Sequence, residues 1–519
     1  MIIERLKLFN FKRFETLDIQ FNKDLNIFVG DNESGKSTIL QAIDIVVRGS
    51  RHLIEDIGLE RLMNKKAIDR SMELHPRTID KLPILTIELY LQETADPRMN
   101  GKNNSEEKCC DGLRVVCEPD DEYDETIVRI LSSETSSFPF EYYKITFSKF
   151  SGETFNGYNR PMRSIFVDNS TIGSEFAMCQ YVKDMFNSAL AEDERTLARY
   201  EYRASKNNFS NTSLKKYNLR IPGYSFAVKD SLRDNLETSL TIEEGGIDIS
   251  NKGTGYQCLI KAVLALKQAG NKLDVILLEE PETHLSHLNM KRMIKQIQES
   301  EDKQLFVATH SNLICTRLDL RKCIIMNSSA ESYVQLNNIS DATAKFFMKA
   351  PDNNLLQYIL SNKVILVEGD AEFMLMDKFC LTALGKSLSS AGIDVIAVDG
   401  ICFKRYLDIA MVLGIKTAVI TDNDGDYKHN IEEKFGDYVS ENIGFFADKD
   451  SKKYTFEVCV YKDNDSLCTS LFGAHCRSKS IENYMLSNKA ECAFTLAADS
   501  KNKLVVPQYI QDALRWIES

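Results

Sequence analysis

The chain has 519 residues, of which 43% are hydrophobic and 27% charged, enough for two or three domains with substantial cores. Its 76 Asp and Glu outweigh 64 Lys and Arg for a formal charge of −12, which excludes a polycation that coats nucleic acid through bulk charge. Any DNA contact must therefore be local. No apolar run approaches the roughly 20 residues that span a bilayer, and the start lacks the basic, apolar and small-residue sections of a secretory signal. The expectation is a cytoplasmic protein with no membrane partner. Thirteen cysteines, odd in number and without a repeated spacing, read as reduced thiols rather than a disulfide framework or a zinc site.

In chain order, Ile3, Leu6, Leu8, Phe9 and Phe11 predict a strand, Asp18 to Phe21 a second, and the run Leu25 to Val29 a third that ends in glycine. Ile39, Leu40, Ile43 and Val46 then recur at helical spacing from Gly35 to Val47. At this strand-to-helix junction, Gly30-Asp31-Asn32-Glu33-Ser34-Gly35-Lys36-Ser37 matches the phosphate-binding loop GxxxxGK[ST] in full. Its glycines let backbone N–H groups close around phosphates, Lys36 reaches the terminal ones, and the Ser37 hydroxyl can ligate Mg²⁺. Asn32 and Thr38 flank the same site.

Leu85, Ile87, Leu89 and Leu91 alternate as a strand. Residues 106–125 hold nine acids against two bases and read as a solvated loop. From Ser174, apolar residues at helical spacing predict an amphipathic helix running toward Tyr200. Residues 199–228 reverse the bias, with six bases and one acid interleaved with six aromatics. That mixture suits phosphates and bases of nucleic acid, and equally suits a solvated helical insert whose aromatics pack inside.

Asn251-Lys252-Gly253-Thr254-Gly255-Tyr256-Gln257 precedes a helix from Leu259 to Gln268. Next, Val275 to Leu278 is an apolar strand delivering Glu279-Glu280-Pro281-Glu282 to its end, where Glu279 suits Mg²⁺ and Glu280 suits activation of the attacking water. Leu305 to Thr309 repeats the form and ends at His310, placed to sense a γ-phosphate. Together, Gly30 to Ser37, Gly253, Gly255 and Gln257, Glu279 to Glu282, and Thr309-His310-Ser311 resemble the Walker A, signature, Walker B and switch-histidine elements of SMC-like ABC-type ATPases. The resemblance implies two ATP molecules sandwiched between two heads, hence a homodimer or higher homo-oligomer.

A further block begins near Asn362. The strand Lys363 to Val367 presents Glu368-Gly369 and is followed by Glu372 on a helix; Ile393 to Val398 ends at Asp399; Lys416 to Thr421 ends at Asp422-Asn423-Asp424-Gly425-Asp426. Strands alternating with helices make an α/β unit with acids at one sheet edge. Carboxylates at i and i+2 suit one oxygen-ligated cation, although a tyrosine at the glycine position argues against an EF-hand loop. Glu368-Gly369 and Asp422-x-Asp424 resemble the topoisomerase-primase (Toprim) fold, and an SMC-like ATPase followed by Toprim resembles the overcoming-lysogenization-defect (OLD) family of nucleases.

The resemblance implies that Glu368, Glu372, Asp422 and Asp424 bind or hold Mg²⁺ or Mn²⁺, with Glu482 as a later acid and Lys479 neutralising transition-state charge. The expected architecture is α/β throughout: ATPase at 1–170 and 231–360, a helical insert at 171–230 for dimerisation or nucleic-acid contact, and a Rossmann-like Toprim domain at 361–519. The expected function is an ATP-binding, metal-dependent DNA endonuclease in anti-phage defence, with a defence-system partner protein or a retron reverse transcriptase and its RNA–DNA product as candidate partners. The alternative is an SMC-like, ATP-driven DNA clamp or repair protein with a non-catalytic Toprim module.

Overall fold

Along Ile3–Phe11 the side chains of Ile3, Leu6, Leu8 and Phe11 are buried, and a shift of register between Ile3 and Arg5 accounts for the break in strict alternation. The strand pairs antiparallel with Phe14–Gln20 on one side and Leu85–Leu91 on the other. In this computed structural model the described residues are 1–94, 96–133, 137–169, 175–221, 224–229, 236–267, 273–300, 303–327, 333–350, 354–398, 402–476, 480–499 and 504–519. They divide into one unit of Met1–His310 with Ile324–Tyr333 and another of Ser311–Cys323 with Val334–Ser519. None of the thirteen cysteines forms a disulfide.

In the first unit, the antiparallel sheet continues through Cys110–Pro119 to Tyr143–Lys149. This corrects the middle of the solvated loop expected at 106–125, whose flanks 106–109 and 121–125 are exposed. Leu113, Val115 and Cys117 alternate and are fully buried, and each such side chain contributes about 1.5–3 kcal/mol. The acids are absorbed locally: buried Asp111 accepts hydrogen bonds from Thr94 and Asn100. Period-two burial outweighed the charge bias.

A parallel sheet in the order Leu25–Gly30, Gln304–Thr309, Val275–Glu279, Ser164–Asp168 carries the loops that matter. Buried on both faces, its strands are nearly all apolar. The helix Lys36–Arg48 follows the first of them. The helix expected to run toward Tyr200 is two: Glu175–Ala189, then Glu192–Thr212, which opens on three acids with Glu194 accepting from the Ala191 N–H. The second helix has no buried residue, and Tyr200, Phe209, Tyr217, Tyr224 and Phe226 of the basic stretch are exposed rather than packed inside.

The second unit holds an all-parallel sheet in the order Asp394–Ala397, Lys363–Val367, Lys416–Ile420, Ile443–Phe446. Leu375 and Phe379 from the helix Asp370–Leu384, and Ile510 and Leu514 from Gln508–Glu518, form a core with Ile365 and Ala418. The helices Asp341–Lys349 and Leu355–Leu360 lie in this unit, where the Tyr358 and Thr417 hydroxyls hydrogen-bond at 3.0 Å. No helix among the described residues is long and apolar enough to cross a membrane.

Candidate active sites

The first site is built at the end of Leu25–Gly30. Gly35 has φ +101°, and a Cβ there would meet the Phe14 ring at 2.5 Å, so the loop can close only around glycine. Lys36 is buried, and its ammonium donates to the carbonyls of Gly30 at 2.8 Å and Asp31 at 2.9 Å. Burial pushes its pKa down to about 8, against the pull of Glu280, Asp31, Glu279 and Glu282. The lysine thus sits folded onto its own loop, with donors that phosphate oxygens can take over.

A cavity of about 310 Å³ joins Asn32, Gly35, Lys36, Ser37 and Thr38 to Glu279, Glu280 and His310. The expected residues from three separate motifs therefore meet. The Ser37 hydroxyl hydrogen-bonds to Glu279, bringing together the two groups expected on Mg²⁺, while burial raises the Glu279 carboxyl. Glu280, at φ 42°, donates its N–H to Ala308 O at 2.9 Å, and its carboxylate accepts from Thr283 at 3.2 Å. Burial first, and Lys36 next, hold the His310 imidazole below its ordinary pKa, so it is neutral at pH 7.

Lys12 and Arg13 line the same cavity and escaped the sequence reading, because they lie in the turn between the first two strands rather than in a motif. The signature residues do not line it. Gln257 is spent on the turn before its helix, donating to Ser250 O and Lys252 O, and a Cβ on Gly255 would meet His284 O at 2.1 Å. Gly253 has open space around it.

The second site lies at the C-terminal edge of the second unit's sheet. Glu368 and Asp422 leave neighbouring strands, and one oxygen of Glu368 accepts from the Thr421 hydroxyl and from the Asp422 N–H at 3.0 Å. Asp422 in turn accepts from the Phe456 N–H at 2.7 Å. Glu372 comes from the first turn of its helix, 7% exposed. Burial, then Glu368, Glu372 and Glu457, push the Asp422 carboxyl up to about 8, and burial raises Glu372 to about 7.

Two residues here were missed. Glu457, 4% exposed at the start of the helix Phe456–Asp463, and Lys489, at the start of Lys489–Ala498, form an ion pair at 3.0 Å. With Glu368, Asp370 and Glu372 they line a cavity of about 460 Å³. Neither belongs to a contiguous motif; only their positions in first helical turns hint at a shared edge.

Asp424 is exposed at φ 47° with its N–H on Tyr454 O, and does not line the cavity. Glu482, on the helix Ile481–Ser487, does not line it either. Lys479 and Asp399 fall outside the described residues. The donors at this edge are all carboxylate oxygens, the set that hard divalent cations take. Among the described residues, no three His, Cys, Asp or Glu side chains are already drawn together as a cage.

A family model for an AAA ATPase domain matches residues 1–149 and 171–315, and a model for the Toprim domain of OLD-like proteins matches residues 359–424. Endonuclease GajA of Bacillus cereus (strain HuB5-5) is 22% identical, over 88% of this chain and 81% of that protein. The DNA replication and repair protein RecF of Clostridium kluyveri is 54% identical over 43 residues, 8% of this chain and only 12% of the RecF chain. Among solved structures, the SMC head domain from Thermotoga maritima is 15% identical with a TM-score of 0.30, covering 63% of this chain and 94% of that one. The C-terminal region of the Burkholderia pseudomallei OLD protein is 22% identical with a TM-score of 0.26, covering 30% of this chain and 97% of that one.

Proposed function

Because the chain belongs to the AAA ATPase domain family and ends in an OLD-like Toprim domain, we propose that it is an ATP-binding, metal-dependent DNA endonuclease whose nuclease site is gated by the ATPase. The observation that carries this reading is the second acidic edge. Glu368, Glu372 and Glu457 line the cavity with Lys489, its one lining cation among the described residues, and Asp422 lies within electrostatic reach of all four. Buried carboxylates without compensation are costly. A recognition-only module, as in the DNA-clamp alternative, has no use for that cost.

At the ATPase site, Lys36 would leave its loop carbonyls for the terminal phosphates, and Glu279 with Ser37 would hold Mg²⁺. Glu280 takes the proton of the attacking water, and neutral His310 reads the γ-phosphate. Gly253, Gly255 and Gln257 stand away from this cavity, which suits action on the ATP of a second copy in a homodimer.

At the Toprim edge, Glu368, Glu372, Asp422 and Glu457 would hold divalent ions, which supply Lewis acidity and a nucleophilic water. Thr421 fixes the Glu368 carboxylate, the Phe456 N–H fixes Asp422, and Lys489 places positive charge where a phosphodiester gains negative charge. Asp424, turned outward at present, would have to rotate to join them. The fitting biological setting is anti-phage defence, with a defence-system protein or a retron reverse transcriptase and its product as regulators.

Purified protein incubated with plasmid and linear DNA plus Mg²⁺ or Mn²⁺ should cleave, and Asp422→Ala should not. Equal cleavage by both would overturn the nuclease assignment.

A further inference from the structure

After Glu279 the chain makes a tight turn, with Glu280 at φ 42° and its N–H on Ala308 O at 2.9 Å. Two residues later, Glu282 folds back under the neighbouring strand. One of its carboxylate oxygens, Oε1, accepts both the Thr309 hydroxyl at 2.6 Å and the His310 N–H at 2.8 Å. Thr309 is fully buried, and Oε2 of Glu282 is buried without a hydrogen-bond partner among the described residues. Glu282 does not line the nucleotide cavity, whereas Glu280 and His310 do.

We infer that Glu282 is a positioning residue for ATP hydrolysis: it clamps the tip of the histidine strand to the turn that carries Glu280, so that the water-activating acid and the γ-phosphate histidine move as one body. The inference rests on the ATPase reading given above.

The physical case has three parts. First, the paired register of the two strands ends at Glu279 and Ala308, and past it a single backbone bond, Glu280 N–H to Ala308 O, joins their tips, so the Glu282 carboxylate adds two further ties there. Second, a charged acceptor taking two short hydrogen bonds is a stronger and more directional tie than neutral pairs. Third, Oε2 is buried with no hydrogen-bond partner among the described residues, a cost that the two bonds to Oε1 offset, so the side chain is held there for its Oε1 contacts. Glutamine keeps an oxygen that can accept at the Oε1 position, and alanine removes the tie altogether.

Displacement of a reacting group by about 1 Å can cost on the order of 100-fold in rate. Glu282→Ala should therefore lower kcat for ATP by roughly that factor while leaving KM and ATP affinity within about twofold, since Lys36 and its loop are untouched. Glu282→Gln, which keeps the Oε1 acceptor, should recover part of the rate, and Thr309→Val should lose part of it.

The deciding measurement is the pair Glu282→Ala and His310→Ala, singly and combined. If Glu282 acts through His310, the double variant is no slower than His310→Ala alone. Multiplying losses, or ATP affinity falling with kcat, would overturn the inference, because a merely structural role produces those outcomes. A slow His310→Ala beside a normal Glu282→Ala would sink the inference and leave the ATPase reading standing. An unaffected His310→Ala, or a wild type without turnover, would sink both. If Glu282→Ala fails to fold, Thr309→Val against His310→Ala supplies the same non-additivity test.

Discussion

Replacing Asp422 by asparagine should stabilise the metal-free protein. Burial, and then Glu368, Glu372 and Glu457, push the folded carboxyl up to about 8 from an ordinary 3.8, with Lys489 pulling the other way. An acid whose pKa rises on folding adds stability that is fully present below about pH 4 and is lost as the pH climbs through 8. Above that point the fold must hold an ionised carboxylate among three others. Each tenfold change in proton affinity is about 1.4 kcal/mol, which sets an upper bound of ~6 kcal/mol. The high effective dielectric of real protein sites reduces this to about 2 kcal/mol. Asparagine retains the oxygen that accepts from the Phe456 N–H at 2.7 Å, so the local geometry survives.

For a unit of this size 1 kcal/mol moves Tm by about 2–4 °C, giving a rise of about 4–8 °C for the C-terminal transition at pH 8 in EDTA. Differential scanning calorimetry reads it directly. At pH 5, where the folded wild-type carboxyl is protonated, the advantage should shrink by more than half. Millimolar Mg²⁺ should raise the wild-type transition and leave Asp422→Asn where it was. A variant less stable than wild type at pH 8, or a gain equal at pH 5 and pH 8, would refute the charge-crowding argument.

Lys36→Ala should abolish ATP binding in isothermal titration calorimetry. Because burial holds the wild-type lysine down to about 8 and phosphates restore its charge, ATP binding at pH 8.5 should take up protons; equal heats in buffers of different ionisation enthalpy would contradict this. Lys489→Ala should eliminate DNA cleavage and, by stranding buried Glu457, lower the C-terminal transition by about 1–2 kcal/mol after allowance for the lysine's exposure. Gly255→Ala places a methyl against His284 O and should slow ATP turnover while ATP still binds; unchanged turnover would show that the helix tolerates the shift.

How far the sequence speaks depends on whether a feature is local. The phosphate loop was legible because one contiguous stretch states its stereochemistry, down to Gly35 at φ +101°. Glu279 and His310 could be placed because each ends an apolar strand, and parallel strands deliver their tips to one edge. The same logic found Glu368 and Asp422. It did not reach Glu457 and Lys489, which arrive at that edge on helices whose packing, not whose sequence, sets their direction. Spacing alone does not set orientation. Asp424 lies two residues from Asp422, yet the turn is fixed by the Asn423 amide donating to Asp448 O and Asp450 O, and Asp424 points outward. At 106–125, acid density hid the alternation of Leu113, Val115 and Cys117 that makes a central strand.

The two edges obey one rule of fold and opposite rules of charge. Both gather carboxylates where parallel strands end. At the first, Lys12, Arg13 and Lys36 line the cavity beside Glu279 and Glu280, so the chain supplies enough cations to meet an anionic nucleotide. At the second, Glu368, Asp370, Glu372 and Glu457 line the cavity with Lys489 as its one cation among the described residues, and burial first, then the neighbouring carboxylates, raise the carboxyls of Glu372 and Asp422. An edge short of positive charge cannot attract a phosphodiester unaided. On the proposed nuclease reading it would become competent for DNA only when cations arrive, and those cations would have to ionise the same carboxylates that destabilise the empty fold. Stability, metal affinity and cleavage at this edge should therefore share one pH dependence, and a cleavage profile insensitive to pH between 6 and 8 would break that link.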